Sequence, residues 1–273
     1  MKELTKKILD EFEMDMLKHR LCGFNIPTDN EYEIMSMVSN SLKDKKYVIN
    51  SNYIESDEAI KDGLLSMNIF SDKHLKKLMK VVFYSYNELS KNDFRSMIEF
   101  NGKKGKVREV MIPENVTEVA PIWIGHECIH CLKDTNYNEY INKDITSEVL
   151  TLFYEMVVAN SIFKDVHDVW KKERLNTLIY DKYCYEFAKK RINNNKKSDI
   201  YEYIMYSYGQ YLTSYYYALN LYSLYKENPK EVINYFNKIL NHKKTTFDLL
   251  DEFDLQKIDK EHVNTYVFEH NKL

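Results

Sequence analysis

Two histidines and a glutamate with the chemistry of a metal site lie within five residues, at His126-Glu127-Cys128-Ile129-His130. On an α-helix, side chains four positions apart share one face, so the imidazoles of His126 and His130 can point at the same place. Glu127 is offset from His126 by about 100° around the helix, which puts its carboxylate beside that place. This spacing is typical of a zinc site in which the glutamate accepts a proton from water.

The residues around this motif suit a helix. Pro121 fits a first helical turn, and no glycine or proline interrupts residues 127–132. Cys128 and Cys131 have the C-x-x-C spacing of a metal site, but on this helix they point away from the histidines. We therefore expect them to be small buried residues rather than ligands of a second metal.

A catalytic zinc needs a third protein ligand, and no histidine follows His130 within the next thirty residues. Glu148 is the candidate, because it shares a helical face with Glu155 and is followed by apolar residues. Burying unpaired carboxylates is costly, and a metal ion would be a partner. The alternative is that both glutamates face solvent on an amphipathic helix. Rival ligands for the third position are Asp134, Glu139 and Asp144.

The chain has 23 tyrosines but only 6 glycines and 4 prolines. So few helix-breaking residues favour long helices, and helices must therefore position most of these side chains. Apolar periodicity and capping residues predict helices at 3 to 20, about 28 to 42, 56 to 63, 71 to 91, 145 to 163, 166 to 194, 198 to 226, 230 to 241, 245 to 253 and 259 to 270. Residues 44 to 55 stay ambiguous.

A β-hairpin is predicted directly before the histidine motif, from 94–100 and 106–112 with a turn at Asn101-Gly102. In zinc peptidases an edge strand at this place often pairs with an extended substrate. The alternative is a purely structural hairpin. We therefore predict a mainly α (α+β) fold in one catalytic domain over 1–273, with N-terminal helices in 1–95 and the hairpin and site helices in 96–273.

The charge of the chain is nearly balanced, with 39 Lys and Arg against 42 Asp and Glu for a net charge of −3. This gives no reason to expect nucleic acid or an anionic membrane as a partner. No apolar run reaches the ~20 residues of a membrane span, and the N-terminal residues lack the apolar segment of a signal peptide. We expect a soluble, cytoplasmic protein without a disulfide framework; the sequence does not indicate its oligomeric state.

Three segments resemble the thimet oligopeptidase and oligoendopeptidase F family of zinc peptidases. Residues 147–155 are similar to its second motif, in which a glutamate ligand is followed by another glutamate seven residues later. Residues 206–219 resemble its tyrosine-rich helix, and 228–236 with 247–250 resemble its closing helices. The resemblance covers about 105 to 255 and implies a helical zincin-type domain that cleaves peptides or proteins, with Zn²⁺ held by His126, His130 and Glu148.

The resemblance also implies that Glu127 is the general base and that Tyr208 and Tyr211 are the candidate donors to the reacting carbonyl oxygen. The sequence departs from the family at Ile129, where a glycine is usual, and at Lys133, where a histidine is frequent. No histidine precedes the tyrosine segment after His167. The chain is about half the usual length, so the restriction to short peptides need not apply.

Glu155 is a candidate hydrogen-bond acceptor for a ligand histidine, and Trp123 and the hairpin are candidates to shape the substrate cleft. Two other functions fit the sequence. One is a non-enzymatic helical binding protein whose zinc site is structural or degenerate. The other is a zinc amidohydrolase that acts on a non-peptide substrate.

Overall fold

The computed structural model of the protein describes residues 29–43, 46–86, 94–101, 104–132, 135–136, 145–194, 199–240 and 252. The helices predicted for 3 to 20 and 259 to 270 lie outside these ranges, as does the helix predicted for 245 to 253 except for residue 252. Within the described ranges, no helix combines the length and the apolar character that crossing a bilayer requires.

Helices dominate the described residues, which confirms the prediction of a mainly helical fold with a small sheet. They are α1 (Asp29–Ser41), α2 (Ser56–Ser66), α3 (Asp72–Leu78), α4 (Ala120–Leu132), α5 (Ile145–Ser161), α6 (His167–Asn193), α7 (Asp199–Glu227) and α8 (Pro229–Leu240). Two 3-10 turns, Met67–Ile69 and Lys164–Val166, connect α2 to α3 and α5 to α6.

The predicted hairpin is confirmed and forms the middle of a larger sheet. Strands β3 (Arg95–Asn101) and β4 (Lys104–Pro113) pair antiparallel, with a register shift between Met97 and Ile98. On the other side of β4 lie β2 (Val82–Tyr86), which is parallel to it, and β6 (Thr135–Asn136), which is antiparallel. A separate two-stranded sheet pairs β1 (Tyr53–Ile54) with β5 (Val116–Thr117), and so gives part of the ambiguous segment a strand.

The prediction of one helix from 71 to 91 was wrong. Helix α3 ends at Leu78, and Val82 begins a strand whose register pairs Val82 with Glu109 and Tyr86 with Pro113. Two valines and three aromatic residues fall between 81 and 86, and such side chains favour a pleated strand over a helix. Pairing with β4 therefore outweighed the helical spacing of the apolar residues.

Helix α5 lies at the centre of the fold, where it packs against both α4 and α7. Every residue from Val149 to Ala159 is buried, and nine of these eleven are apolar, so the helix is apolar on nearly all sides. Helix α7 also packs along α6, so that α4, α5, α7 and α6 form one continuous layer of contacts. The two polar exceptions, Thr151 and Glu155, lie on the side that carries the candidate site.

Gly125 allows α4 to approach α5 closely. A β-carbon at this position would lie 1.7 Å from the hydroxyl oxygen of Tyr154 and 2.2 Å from the ring carbon that carries it. The Tyr154 ring is fully buried, and its hydroxyl is 2.5 Å from the hydroxyl of Ser66 on α2. A residue without a side chain is therefore needed immediately before His126 for the two site helices to meet.

Candidate metal centre

Helix α4 presents His126, Glu127 and His130 toward α5. The helix begins at Ala120, with Pro121 in its first turn as the sequence predicted. The two imidazole rings lie 5.1 Å apart between centroids, which is the result of their spacing by four residues. His126 is buried and His130 is partly buried, so the pair does not lie on an open, solvent-facing surface.

Glu148, near the start of α5, reaches both histidines. Its two carboxylate oxygens lie 3.5 Å from Nε2 of His126 and 3.6 Å from Nε2 of His130. One ligand atom from each of the three residues lies within 4.8 Å of the other two. The structure thus brings together the three residues that were predicted to hold a metal.

These separations fit a shared metal ion. Ligand atoms bound tetrahedrally at ~2.0–2.1 Å are about 3.3 Å apart, close to the 3.5 Å and 3.6 Å observed between His126, His130 and Glu148. The same distances are too long for good N–H···O hydrogen bonds. The donor set of two imidazoles and one carboxylate suits Zn²⁺. The rival ligands Asp134, Glu139 and Asp144 lie outside the described residues.

Thr151 holds the Glu148 carboxylate. One turn further along α5, the Thr151 hydroxyl is 3.0 Å from the backbone carbonyl of Glu148 and 3.2 Å from its Oε2. Thr151 is fully buried, so it does not exchange these contacts for bulk water. The hydroxyl therefore helps to direct the carboxylate toward the two histidines.

Glu155 is a fully buried carboxylate behind His126. Its Oε1 lies 2.5 Å from Nδ1 of His126, and its Oε2 accepts hydrogen bonds from Nε1 of Trp170 and Nε of Arg174, both at 3.0 Å. A second guanidinium nitrogen of Arg174 also contacts Oε1. An acceptor at Nδ1 keeps the proton on that nitrogen, so Nε2, the atom nearest Glu148, is the nitrogen that would bind a metal in exchange for its own proton.

Opposite charges in the site keep one another ionised. Burial would lower the pKa of His126, but the carboxylates of Glu148 and Glu155 outweigh it and raise the pKa to about 10. Burial would raise the pKa of Glu148, but the charges of His130, His126 and Arg174 lower it to about 2. The carboxylates are thus held ionised, as metal coordination and imidazole polarisation both require.

Arg174 and Trp170 belong to the candidate site, and the sequence analysis missed them. They come from α6, 19 and 15 residues after the glutamate that they contact. The guanidinium of Arg174 also lies 4.4 Å from the ring centroid of Trp123, whose Nε1 donates to Oε2 of Glu173 at 3.2 Å. Trp123 therefore ties α4 to α6, and its predicted contact with substrate stays a prediction.

Glu127 lies beside the metal ligands without joining them. Its Oε1 is 4.0 Å from Nε2 of His126, beyond hydrogen-bonding distance. Among the described residues, no hydrogen bond engages this carboxylate. A carboxylate that lies near the metal position and is not paired elsewhere can accept a proton from a water molecule there.

Tyr211, on α7, faces the candidate metal centre. The negative charge of Glu148 contributes most, followed by burial and the charges of Asp181 and Glu127, to raising the pKa of Tyr211 well above its ordinary value. The phenol is therefore protonated and can donate a hydrogen bond. Tyr211 is partly buried.

Tyr208 occupies a different environment. Its ring packs edge to face with that of Tyr180 on α6, with 5.7 Å between centroids. Burial, then Cys184, Tyr180 and Asp181, are the main causes that raise the pKa of Tyr208, whereas Glu148 is the largest cause for Tyr211. Of the two tyrosines predicted to donate to a reacting carbonyl, the structure places Tyr211 beside the metal ligands and Tyr208 against α6.

Cys128 and Cys131 are both buried on α4, as expected from their position opposite the histidines, and both are free thiols. Burial, the largest influence on both, raises the pKa of each thiol above its ordinary value. Both thiols are therefore held in the neutral form.

Comparison of the chain with protein-family models, with curated proteins and with solved structures finds no match. The resemblance to the thimet oligopeptidase family therefore depends on the sequence segments at 147–155, 206–219 and 228–250 alone.

Proposed function

We propose that the protein is a zinc-dependent metallopeptidase that hydrolyses peptide bonds. The observation that carries this proposal is the convergence of His126, His130 and Glu148, whose ligand atoms lie within 4.8 Å of one another. A second observation supports it. The fully buried Glu155 holds the far nitrogen of His126, an arrangement found behind metal-ligating histidines and of little use to an ordinary surface histidine.

An open catalytic site fits better than a closed structural one. Structural zinc sites have four protein ligands, whereas catalytic sites have three and leave one position for water or substrate. Among the described residues, the group around Glu148 has three members. A site of three protein ligands with one open position is the form expected of a zinc enzyme.

Each neighbouring residue has a chemical role in the proposal. Zinc held by His126, His130 and Glu148 would supply a Lewis acid that acidifies water and polarises a carbonyl group. Glu127 accepts the proton of the attacking water and delivers it to the departing amine. Tyr211 donates a hydrogen bond to the carbonyl oxygen as negative charge develops on it.

The test compares wild type with Glu127→Gln on a broad peptide library, with cleavage read by mass spectrometry and zinc measured in the same preparations. We expect both proteins to hold about one zinc per chain. The variant should lose at least ~100-fold in kcat, because removal of a general base costs 10²–10⁴-fold. Glu202→Gln, an exposed change on α7, is the matched control and should behave as wild type.

Two results would count against the proposal. A wild-type protein that holds zinc but cleaves no member of the library would contradict the peptidase assignment. A Glu127→Gln variant that cleaves as fast as wild type would remove Glu127 from the mechanism.

A further inference from the structure

Asp181 is a buried carboxyl group whose surroundings leave it unsatisfied. Its side chain is 4 % exposed, and its Oδ2 has no hydrogen-bond partner among the described residues. Buried aspartates are nearly always paired, because an ionised carboxylate without a partner is costly to remove from water. An unpaired one indicates a place where something other than the folded chain supplies the partner.

The register of the helices places Asp181 at the same level of the fold as Glu148. Arg174 contacts Glu155, and Asp181 follows Arg174 by seven residues, two turns along the same face of α6. Five residues, 162–166, join α5 to α6, so the chain reverses direction between them. Moving two turns forward along α6, from Arg174 to Asp181, therefore corresponds to moving two turns back along α5, from Glu155 to Glu148.

Electrostatic interactions agree with this placement. Asp181 is among the charges that act on Tyr211, together with Glu148 and Glu127. Burial is the main cause that raises the pKa of Asp181 to about 8, with Arg174 opposing it and Glu148 adding to it. The free carboxyl group is therefore protonated at neutral pH, and a cation bound beside it would take the place of that proton.

The basic side chains near Asp181 are already engaged. The guanidinium of Arg174 contacts both oxygens of Glu155 and stacks on Trp123. The ammonium of the adjacent Lys182 donates to the carbonyl of Leu42, 2.7 Å away. A substrate group that neutralises Asp181 should therefore carry its own positive charge.

We propose that Asp181 is a specificity-determining residue that binds a cationic nitrogen of the substrate, so that peptides with an ammonium or guanidinium group near the scissile bond are preferred. This inference rests on the proposed peptidase function. The cation can be a free α-amino group or the side chain of lysine or arginine. Both present N–H donors and a positive charge to the carboxylate.

The experiment measures kcat/KM for matched peptides in zinc-loaded protein. One series carries lysine or its neutral analogue norleucine at each position flanking the cleaved bond. The other series compares a free N-terminus with an acetylated one. We expect wild type to favour the charged member of one series by roughly ten- to a hundred-fold, the range of a hydrogen bond to a charged group. The series that shows the preference identifies the source of the cation.

Variants at position 181 test whether Asp181 causes the preference for charged peptides. In Asp181→Asn the ratio of kcat/KM between charged and neutral peptides should fall to about one, and Asp181→Glu should restore part of it. Asp168→Asn, an exposed change on the same helix, is the control and should keep the wild-type ratio. Zinc content and thermal unfolding establish that each variant is folded.

The outcomes separate this inference from the peptidase proposal. Cleavage of neutral and charged peptides at equal rates by wild type would overturn the role of Asp181 and leave the peptidase intact. A preference that persists in Asp181→Asn would also overturn it. If Asp181→Asn does not fold, the wild-type ratios alone still decide whether a cation is selected.

Discussion

At the scale of single residues, the candidate site depends on a chain of contacts that runs from Glu148 through His126 to Glu155 and Arg174. Each member holds the next in position: the guanidinium neutralises Glu155, and Glu155 accepts the hydrogen bond of Nδ1 of His126 and so fixes the orientation of the ring. The imidazole can then offer Nε2 toward Glu148. The buried charges are tolerated because each has an opposite charge in contact with it.

Replacement of Glu155 by glutamine tests this chain of contacts. The amide keeps the size of the side chain but leaves the buried guanidinium of Arg174 without an opposite charge, so we expect a loss of ~3–5 kcal/mol in the free energy of unfolding. Zinc affinity should fall ~10–100-fold, because the acceptor behind His126 becomes neutral. Chemical denaturation and competition with a chelator measure the two effects.

Glu202→Gln provides the control, since that glutamate is exposed on α7. An unfolding free energy of Glu155→Gln within about 0.5 kcal/mol of wild type, the range of ordinary surface substitutions, would mean that the contacts of Glu155 do not stabilise the fold.

The sequence predicted the residues whose spacing is local and missed those that depend on packing. His126 and His130 are four apart, and Glu148 and Glu155 are seven apart, so helical periodicity alone relates the members of each pair. Arg174 and Asp181 lie on α6, where charged residues occur around the whole helix and no apolar face marks the buried side. Only the packing of α6 against α7 shows which of its charges point inward.

At the scale of secondary-structure elements, the separation between α4 and α5 decides whether His126 reaches Glu155. Gly125 sets that separation, because Tyr154 fills the space where a side chain would be. The Tyr154 hydroxyl also contacts Ser66, so α2 is held to the same point. The site geometry is thus a consequence of how three helices pack.

Gly125→Ala should therefore destabilise the protein by more than the ~1–3 kcal/mol typical of an overpacked core, because the added methyl group meets a fully buried ring. Tyr154→Leu removes the ring atoms nearest to that methyl group. The double variant should then lose less than the sum of the two single losses, as measured by chemical denaturation. If the losses in unfolding free energy of the two single variants simply add, the side chains at positions 125 and 154 do not clash.

The prediction of secondary structure succeeded where a segment fitted only one sequence pattern, either strand alternation or helical periodicity. The hairpin of β3 and β4 and the long helices α5, α6 and α7 follow from alternation or from apolar periodicity. Strand β2 was missed because residues 75–83 satisfy a helical spacing as well. Its pairing with β4, which lies more than 20 residues later, is a tertiary contact that local spacing does not contain.

At the scale of the whole molecule, the described residues join a mainly helical body to a small mixed sheet, with the candidate metal centre where α4 and α5 meet. The predictions of one catalytic domain over 1–273, of a cytoplasmic location and of a peptide substrate stay predictions. They share one premise, which is that the histidine motif binds a metal together with Glu148. A direct measurement of the ligands of zinc therefore tests the account as a whole.

X-ray absorption at the zinc edge of the purified protein provides that measurement. Zinc–sulfur bonds are ~2.3 Å long, whereas bonds to nitrogen and oxygen are ~2.0–2.1 Å, so the method separates the histidine and carboxylate site from a site that uses Cys128 and Cys131. We predict about one zinc per chain, surrounded by nitrogen and oxygen only and including two imidazoles, and we expect His126→Ala to lose the metal. Sulfur in the ligand shell, or wild-type protein that retains no zinc, would contradict the account.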